Sequence, residues 1–175
     1  THGMPLATQL SIVRQVGEAL QYAHANKVVH RALTPRSVWV RPVPGTRGDV
    51  KVRVGGWEGA GILNPADLTR TAVPGVTALH DADGPAGNDT EEGGFGAPEG
   101  QWSPTADRAR IDVFGLGALA FYVLSSRAPA SGRAELTQRL HTQDGLDLAV
   151  ELPQVSTELR ELELRATRPA PTKRT

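Results

Sequence analysis

His30-Arg31-Ala32-Leu33-Thr34-Pro35-Arg36-Ser37-Val38-Trp39-Val40 carries the chain from a helical pattern into a β segment. Upstream, Leu6, Leu10, Val13, Val16, Leu20 and Ala23 recur at three- and four-residue steps, which predicts one apolar helix face running to about Asn26. Val28 and Val29 read as a short extended step into the loop at His30. Downstream, Val38 to Val40 and then Val50, Val52 and Val54 read as two β segments. Pro44-Gly45-Thr46-Arg47-Gly48 lies between them as a turn, so a hairpin is predicted.

Further out, the pattern dissolves from Gly55 to Gly100, where Gly, Asp, Pro, Thr and Glu dominate, and a long surface loop is expected. Ile111 to Ser125 is the most apolar segment. Ile111, Val113, Phe114, Leu116, Leu119, Ala120, Phe121, Val123 and Leu124 cover nearly every face of a helix, which places it in the middle of a domain. Ser131 is the expected N-cap of a helix through Leu140. Ser156 is the expected N-cap of another, with Leu159, Leu162 and Leu164 turned inward. The fold class expected is mainly α, of α+β type, with a small hairpin beside the loop.

The chain has 175 residues, enough for one domain with a real core. Its 19 basic and 19 acidic residues give a net charge of +0, which argues against nucleic acid or a membrane surface as partner. With no cysteine there is no disulfide framework and no thiolate metal site, and a cytoplasmic location is expected. No apolar run is long enough to span a bilayer. The chain opens at Thr1 directly before an amphipathic helix and reads as a piece of a longer protein.

Several stretches, in order, resemble the C-terminal lobe of the eukaryotic-type protein kinase family. The His30 loop resembles the family's H-R-D-L-K-P-x-N catalytic loop, with His30, Arg31, Leu33 and Pro35 in place. Ala19-Leu20-Gln21-Tyr22-Ala23-His24 resembles the end of the helix before that loop. Phe95-Gly96-Ala97-Pro98-Glu99 resembles the A-P-E that ends the activation segment. Ile111-Asp112-Val113-Phe114-Gly115-Leu116-Gly117 resembles the start of the buried central helix, whose Asp holds the catalytic loop's backbone. Leu159 to Arg174 resembles the final helix and its terminal Arg. The resemblance implies a single kinase-like domain over residues 1–175, an activation-segment-like loop over 56–99, and a Glu99–Arg174 ion pair. If buried, that pair costs about 3–5 kcal/mol to break by removing one partner. It also implies that the N-terminal lobe lies outside this chain.

The same comparison marks departures. The catalytic loop's Asp, Lys and Asn positions hold Ala32, Thr34 and Ser37. In the family, that Asp accepts the substrate hydroxyl's proton and that Asn holds magnesium. Either Gly56-Trp57-Glu58 or Val54-Gly55-Gly56 aligns with D-F-G. The first is favoured because Trp57 supplies the aromatic bulk, and neither supplies the magnesium-binding Asp. Ala32, Thr34, Ser37 and Gly56 are therefore degenerate catalytic slots, and no metal site is expected. Glu58 is the one substitute ligand nearby. Trp39 takes the place of the residue beneath the adenine, where it either stacks on a base or fills the pocket; filling is favoured, and like plain core packing it predicts burial. Arg31 resembles the family's phosphate-binding Arg, for which Thr69, Thr71, Thr77 and Thr90 are candidate acceptors, but a structural packing role is the preferred reading for it.

Gly115-Leu116-Gly117-Ala118-Leu119-Ala120 matches a dinucleotide fingerprint by letters, but no strand precedes it, and small residues in a buried helix permit close packing. His2, His24, His30, His80 and His141 lack metal-ligand spacing, and no G-x-S-x-G element is present. Three functions compete. The first is a pseudokinase-like domain that binds a protein partner or other domains of a longer parent chain. The second is a divergent serine/threonine kinase using ATP and Mg2+ in the full-length parent, and the third is a structural spacer. Loops of the H-R-A-L-T-P-R-S type also resemble those of large bacterial kinase-like proteins.

Overall fold

The computed structural model describes residues 3–62, 94–101 and 108–174. Its helices are α1 (Leu6–Ala25), α2 (Arg108–Ser125), α3 (Arg133–Gln143) and α4 (Thr157–Ala166). Its strands are β1 (Val28–Val29), β2 (Val38–Pro42), β3 (Val50–Val54) and β4 (Gly61–Ile62). Two small antiparallel ribbons result. β1 pairs with β4, and β2 pairs with β3 in the register Val38↔Val54, Val40↔Val52, Pro42↔Val50. The expected hairpin is present, with its first strand running to Pro42. Gly45 and Gly48 take positive φ in the turn, where a side chain would be strained.

α2 is the central element. One buried cluster joins its Phe114, Ala118 and Phe121 to Leu136 and Leu140 of α3 and to Leu146 and Leu148. A second joins its Leu119 and Val123 to Ile12, Val16 and Leu20 of α1 and to Leu33. Supplying both clusters is why α2 is apolar nearly all round. Its glycines are packing sites. A Cβ at Gly115 would sit 3.2 Å from Leu33 Cβ, and one at Gly117 would sit 2.5 Å from Thr167 Cγ2. The G-x-G letters thus mark close approach inside a helix, not a strand-to-helix turn.

Two helix-face expectations and one N-cap need correction. On α1, Leu6 and Leu10 are exposed, and Thr8 and Gln9 are buried with Ile12, Val16, Leu20 and Ala23. The reason is polar anchoring. Gln9 Nε2 donates to Val123 O at 2.8 Å, where α2 ends, and Thr8 donates to Gly48 O at 2.7 Å in the hairpin turn. One turn on, Gln15 donates to Val50 O at 2.9 Å and accepts from Val52 N at 3.1 Å, clamping β3 to α1. On α4, Leu162 is exposed and Glu163 is buried. Ser156 does cap α4, accepting from Leu159 N at 3.3 Å. Ser131 does not cap α3; Gly132 holds that position, and Ser131 donates instead from its N–H (2.8 Å) and its hydroxyl (2.6 Å) to Glu135.

The segment after the hairpin is only partly irregular. A 3-10 turn over Trp57–Gly59 and β4 follow Gly56, and Phe95 and Ala97 are buried near its far end. Thr69, Thr71, Thr77 and Thr90 lie outside the described residues, as do His2 and His80. No helix among the described residues is long and apolar enough to cross a membrane.

Candidate functional site

Asp112, 1 % exposed on the first turns of α2, organises the loop. Its carboxylate accepts from His30 N at 2.8 Å, Arg31 N at 2.6 Å and His24 Nε2 at 2.7 Å. Three donors satisfy a buried anion that would otherwise be costly. The grip holds Arg31 at φ 71, in the left-handed region that non-glycine residues seldom occupy. Leu33 anchors the loop from beneath, buried against Gly115.

His30 is fully buried. Its Nε2–H donates to Gly55 O at 2.8 Å, and its ring meets Trp57 edge-on at 4.5 Å between centroids. Trp57 in turn donates Nε1–H to Val54 O at 3.0 Å. Of the two possible alignments with D-F-G, this geometry favours Gly56-Trp57-Glu58, since it sets the aromatic residue on His30.

Pro35–Ser37 forms a 3-10 turn that delivers Ser37 to the start of β2. Ser37 Oγ accepts from Thr34 N at 3.0 Å and donates to Thr34 O at 3.0 Å. Its hydroxyl is thus engaged inside its own loop. Gly56, at φ 77, faces it: a Cβ there would lie 3.3 Å from Ser37 Cβ. Ser37 and Gly56 are therefore brought together, while Ala32 is exposed and Thr34 half-buried. Glu58 is exposed at the rim of an open cleft of about 710 Å³ whose walls include Trp39, Gly55, Gly56 and Trp57.

Trp39 departs from the expectation that it is buried: it is 56 % exposed. Strand parity is the cause. Val38, Val50, Val52 and Val54 pack toward α1, so Trp39 stands on the opposite face, its ring laid over Gly55. A Cβ at Gly55 would come within 2.4 Å of that ring.

At the far side of α2, Glu99 and Arg174 form a bidentate ion pair, Arg174 Nη1 to Glu99 Oε1 and Nη2 to Oε2 at 3.0 Å. Arg174 is 2 % exposed, and its guanidinium carbon lies 4.8 Å from the Phe114 ring centroid. Arg174 does not end the final α-helix, as its place in the resemblance suggests, but caps a short 3-10 turn over Pro171–Lys173. α4 stops at Ala166, and the chain turns back through Pro169 and Pro171, which cannot continue a helix. Beside the pair, Arg133 donates to Pro98 O at 2.6 Å; burial lowers its pKa, and the nearby Glu99 carboxylate opposes that shift.

The Asp112–loop and Glu99–Arg174 contacts that the resemblance implies are present, whereas Gln9 and Gln15 are not among the residues singled out above. Their only signal is a polar residue at a helical step from buried ones.

No family model matches the chain. It is 32% identical over 179 aligned residues to the probable kinase PglW of Streptomyces coelicolor, covering 91% of this chain and 11% of that protein. It is 29% identical over 137 residues to the serine/threonine-protein kinase PknA of Mycobacterium tuberculosis, covering 78% of this chain and 27% of that one. It is 28% identical over 125 residues to the serine/threonine-protein kinase/endoribonuclease ire-1 of Caenorhabditis elegans, covering 70% and 11%. The chain thus spans between about a tenth and about a quarter of the length of these relatives. With a loop held by Asp112, an aromatic residue set on His30 and a Glu99–Arg174 pair behind the central helix, the chain belongs to the serine/threonine protein kinase family, and the elements it contributes are those of that fold's C-terminal lobe.

Proposed function

We propose that the chain acts as a pseudokinase-like domain, regulating or binding a partner, with phosphoryl transfer lost. The observation that carries this reading is the meeting of Ser37 and Gly56, where the family brings its two magnesium ligands together. One position has no side chain, and the other has a hydroxyl already bonded to Thr34 on both its accepting and donating sides. Magnesium favours oxygen ligands, usually carboxylates, in near-octahedral array. Neither Ser37 nor Gly56 brings a carboxylate to that point, and among the described residues no cluster of three His, Cys, Asp or Glu converges. The base position, Ala32, cannot accept a proton.

The partner we infer is a protein surface, on another protein or on another domain of a longer chain. A cytoplasmic location belongs to the same proposal and is consistent with a chain free of cysteine. The competing reading, a divergent kinase, draws on Glu58 at the cleft rim and on relatives whose names describe them as kinases. Magnesium-dependent ATP turnover by the full-length protein decides between them. We expect none above background. Turnover that survives purification and disappears in Glu58→Ala would establish the enzyme instead.

A further inference from the structure

β2 has a free edge. Among the described residues it pairs with β3 alone. An antiparallel pair alternates between residues that exchange hydrogen bonds and residues that turn their backbone groups away. Gly55 N donates to Ser37 O at 2.8 Å and Val43 N donates to Asp49 O at 3.0 Å, which fixes the phase. Trp39 and Arg41 bond to β3, and Val38, Val40 and Pro42 turn their backbone groups to the other edge. β3 keeps the same phase on its own far edge, where Gln15 takes Val50 O and Val52 N and Trp57 takes Val54 O. On β2, Val38 N–H is held by Pro35 O, and Pro42 has no N–H. Val40 therefore offers this edge both a donor and an acceptor, between the carbonyls of Val38 and Pro42.

The side chains along the edge are of two kinds. Val40 shares a face with Val38 yet is exposed. The opposite face carries Trp39, Arg41, Lys51 and Arg53, all exposed, with Arg41 set opposite Lys51. Like charges directly opposed on an antiparallel pair repel. None of the three cations forms an ion pair among the described residues. The whole chain is neutral, so this excess of positive charge is local. An uncovered apolar residue on one face and unpaired cations on the other match a strand that alternates apolar and acidic side chains. A second copy of β2 would bring the same cations to the edge, and like charge guards it against that pairing. A nucleic acid would meet the cations but supply neither backbone amides in strand register nor cover for Val40.

We propose that β2 is a docking edge for an acidic, extended segment of a separate partner protein. The segment adds as an antiparallel strand centred on Val40, with apolar side chains beside Val40 and carboxylates beside Arg41. The proposal rests on the partner-binding reading and deepens it, naming the surface and the chemistry of the partner. Side chains on one face of a strand recur at about 7 Å, so acids at alternate positions flank Arg41 directly and on the diagonal. A carboxylate there relieves the repulsion between Arg41 and Lys51, and the backbone bonds at Val40 set the register.

Fluorescence anisotropy of a labelled peptide of alternating valine and glutamate, titrated with the full chain, tests this. Saturable binding is expected, weakening with added salt. The same residues arranged in blocks, or lysine in place of glutamate, should weaken binding by about tenfold. In the antiparallel register the peptide's valine amides face β2 and its glutamate amides face away. N-methylation of the valines should abolish binding, and N-methylation of the glutamates should be tolerated. Proline is accepted in an edge strand where its missing N–H points away from the ladder, so Val40→Pro should stay folded and lose the peptide. Arg41→Glu should weaken the glutamate peptide by about threefold to tenfold and gain affinity for the lysine peptide, a test that holds whether or not Val40→Pro folds. No saturable binding at millimolar peptide, indifference to Arg41→Glu, or full binding by the N-methylvaline peptide overturns the proposal. Self-association of the chain that is lost in Val40→Pro gives the edge to a second copy, and a single-stranded oligonucleotide that binds as tightly as the peptide and displaces it reveals a plain anion surface; either result also overturns it. All of these leave the reading of lost phosphoryl transfer standing, since ATP turnover tests that separately.

Discussion

Replacing Glu99 by Ala tests the packing behind α2. Arg174 has five N–H donors, and each has an acceptor. Nε donates to Arg168 O at 2.6 Å, Nη1 to Glu99 and to Arg110 O at 3.3 Å, and Nη2 to Glu99 and to Pro169 O at 3.0 Å. Glu99→Ala removes two acceptors and, among the described residues, the only carboxylate paired with the guanidinium, leaving a cation at 2 % exposure with three carbonyls. Removing one member of a buried pair costs about 3–5 kcal/mol, which for a domain of this size lowers Tm by roughly 6–20 °C. Urea unfolding followed by tryptophan fluorescence reads the loss as a lower midpoint at unchanged slope. The exposed Arg14–Glu18 pair is the internal control, since Glu18→Ala should cost no more than about 1 kcal/mol. Replacing both partners, Glu99→Leu with Arg174→Met, should recover much of the loss, because no charge is then stranded. A cost for Glu99→Ala as small as that for Glu18→Ala would refute the argument, showing that the carbonyls and the Phe114 ring suffice to hold the cation.

Two further outcomes are expected. Burial raises the pKa of Glu163 well above its ordinary value of 4.5, and its Oε1 has no hydrogen-bond partner among the described residues. The unfolded chain therefore loses this proton near pH 4.5 while the folded chain keeps it, so this contribution to stability falls as pH rises from there and levels off above the folded pKa. Glu163→Gln cannot ionise, so its Tm advantage over the unsubstituted chain should open above pH 4.5 and widen toward pH 8; a gap independent of pH would contradict this. Two of the helix glycines, Gly17 and Gly117, should respond in opposite directions to Ala. At Gly17 the new Cβ meets Leu116 Cδ2 at 3.5 Å, an ordinary contact, so the helix should gain about 0.5–1 kcal/mol. At Gly117 it meets Thr167 Cγ2 at 2.5 Å and Ala166 Cβ at 3.1 Å, so denaturant curves should show a loss of about 1–3 kcal/mol.

How far the sequence could be read depended on whether a residue's partner was local or distant. The β2–β3 ribbon was legible because alternating valines and a glycine-containing turn are local signals, and α2 was legible because a helix apolar all round has few other homes. The Asp112 and Glu99–Arg174 contacts were legible only through resemblance, since their partners stand far off in sequence. The inner face of α1 was misjudged because Gln9 and Gln15 look like surface residues until the carbonyls they meet, on Val123 and Val50, are folded against them. Leu162 was misplaced for a similar reason: hydropathy favours the leucine, but the buried face of α4 carries Glu163, and Ala166 and Thr167 meet Gly117. Trp39 was misjudged on size, because bulk suggests burial whereas strand parity sends it outward with the cations.

Asp112 grips the loop through the amide hydrogens of His30 and Arg31, atoms that every residue except proline possesses. That grip is therefore indifferent to which side chain stands at position 32. Substitutions there can disarm the machinery without unfolding its mount, and re-arming it would call for new side chains on a backbone already in position.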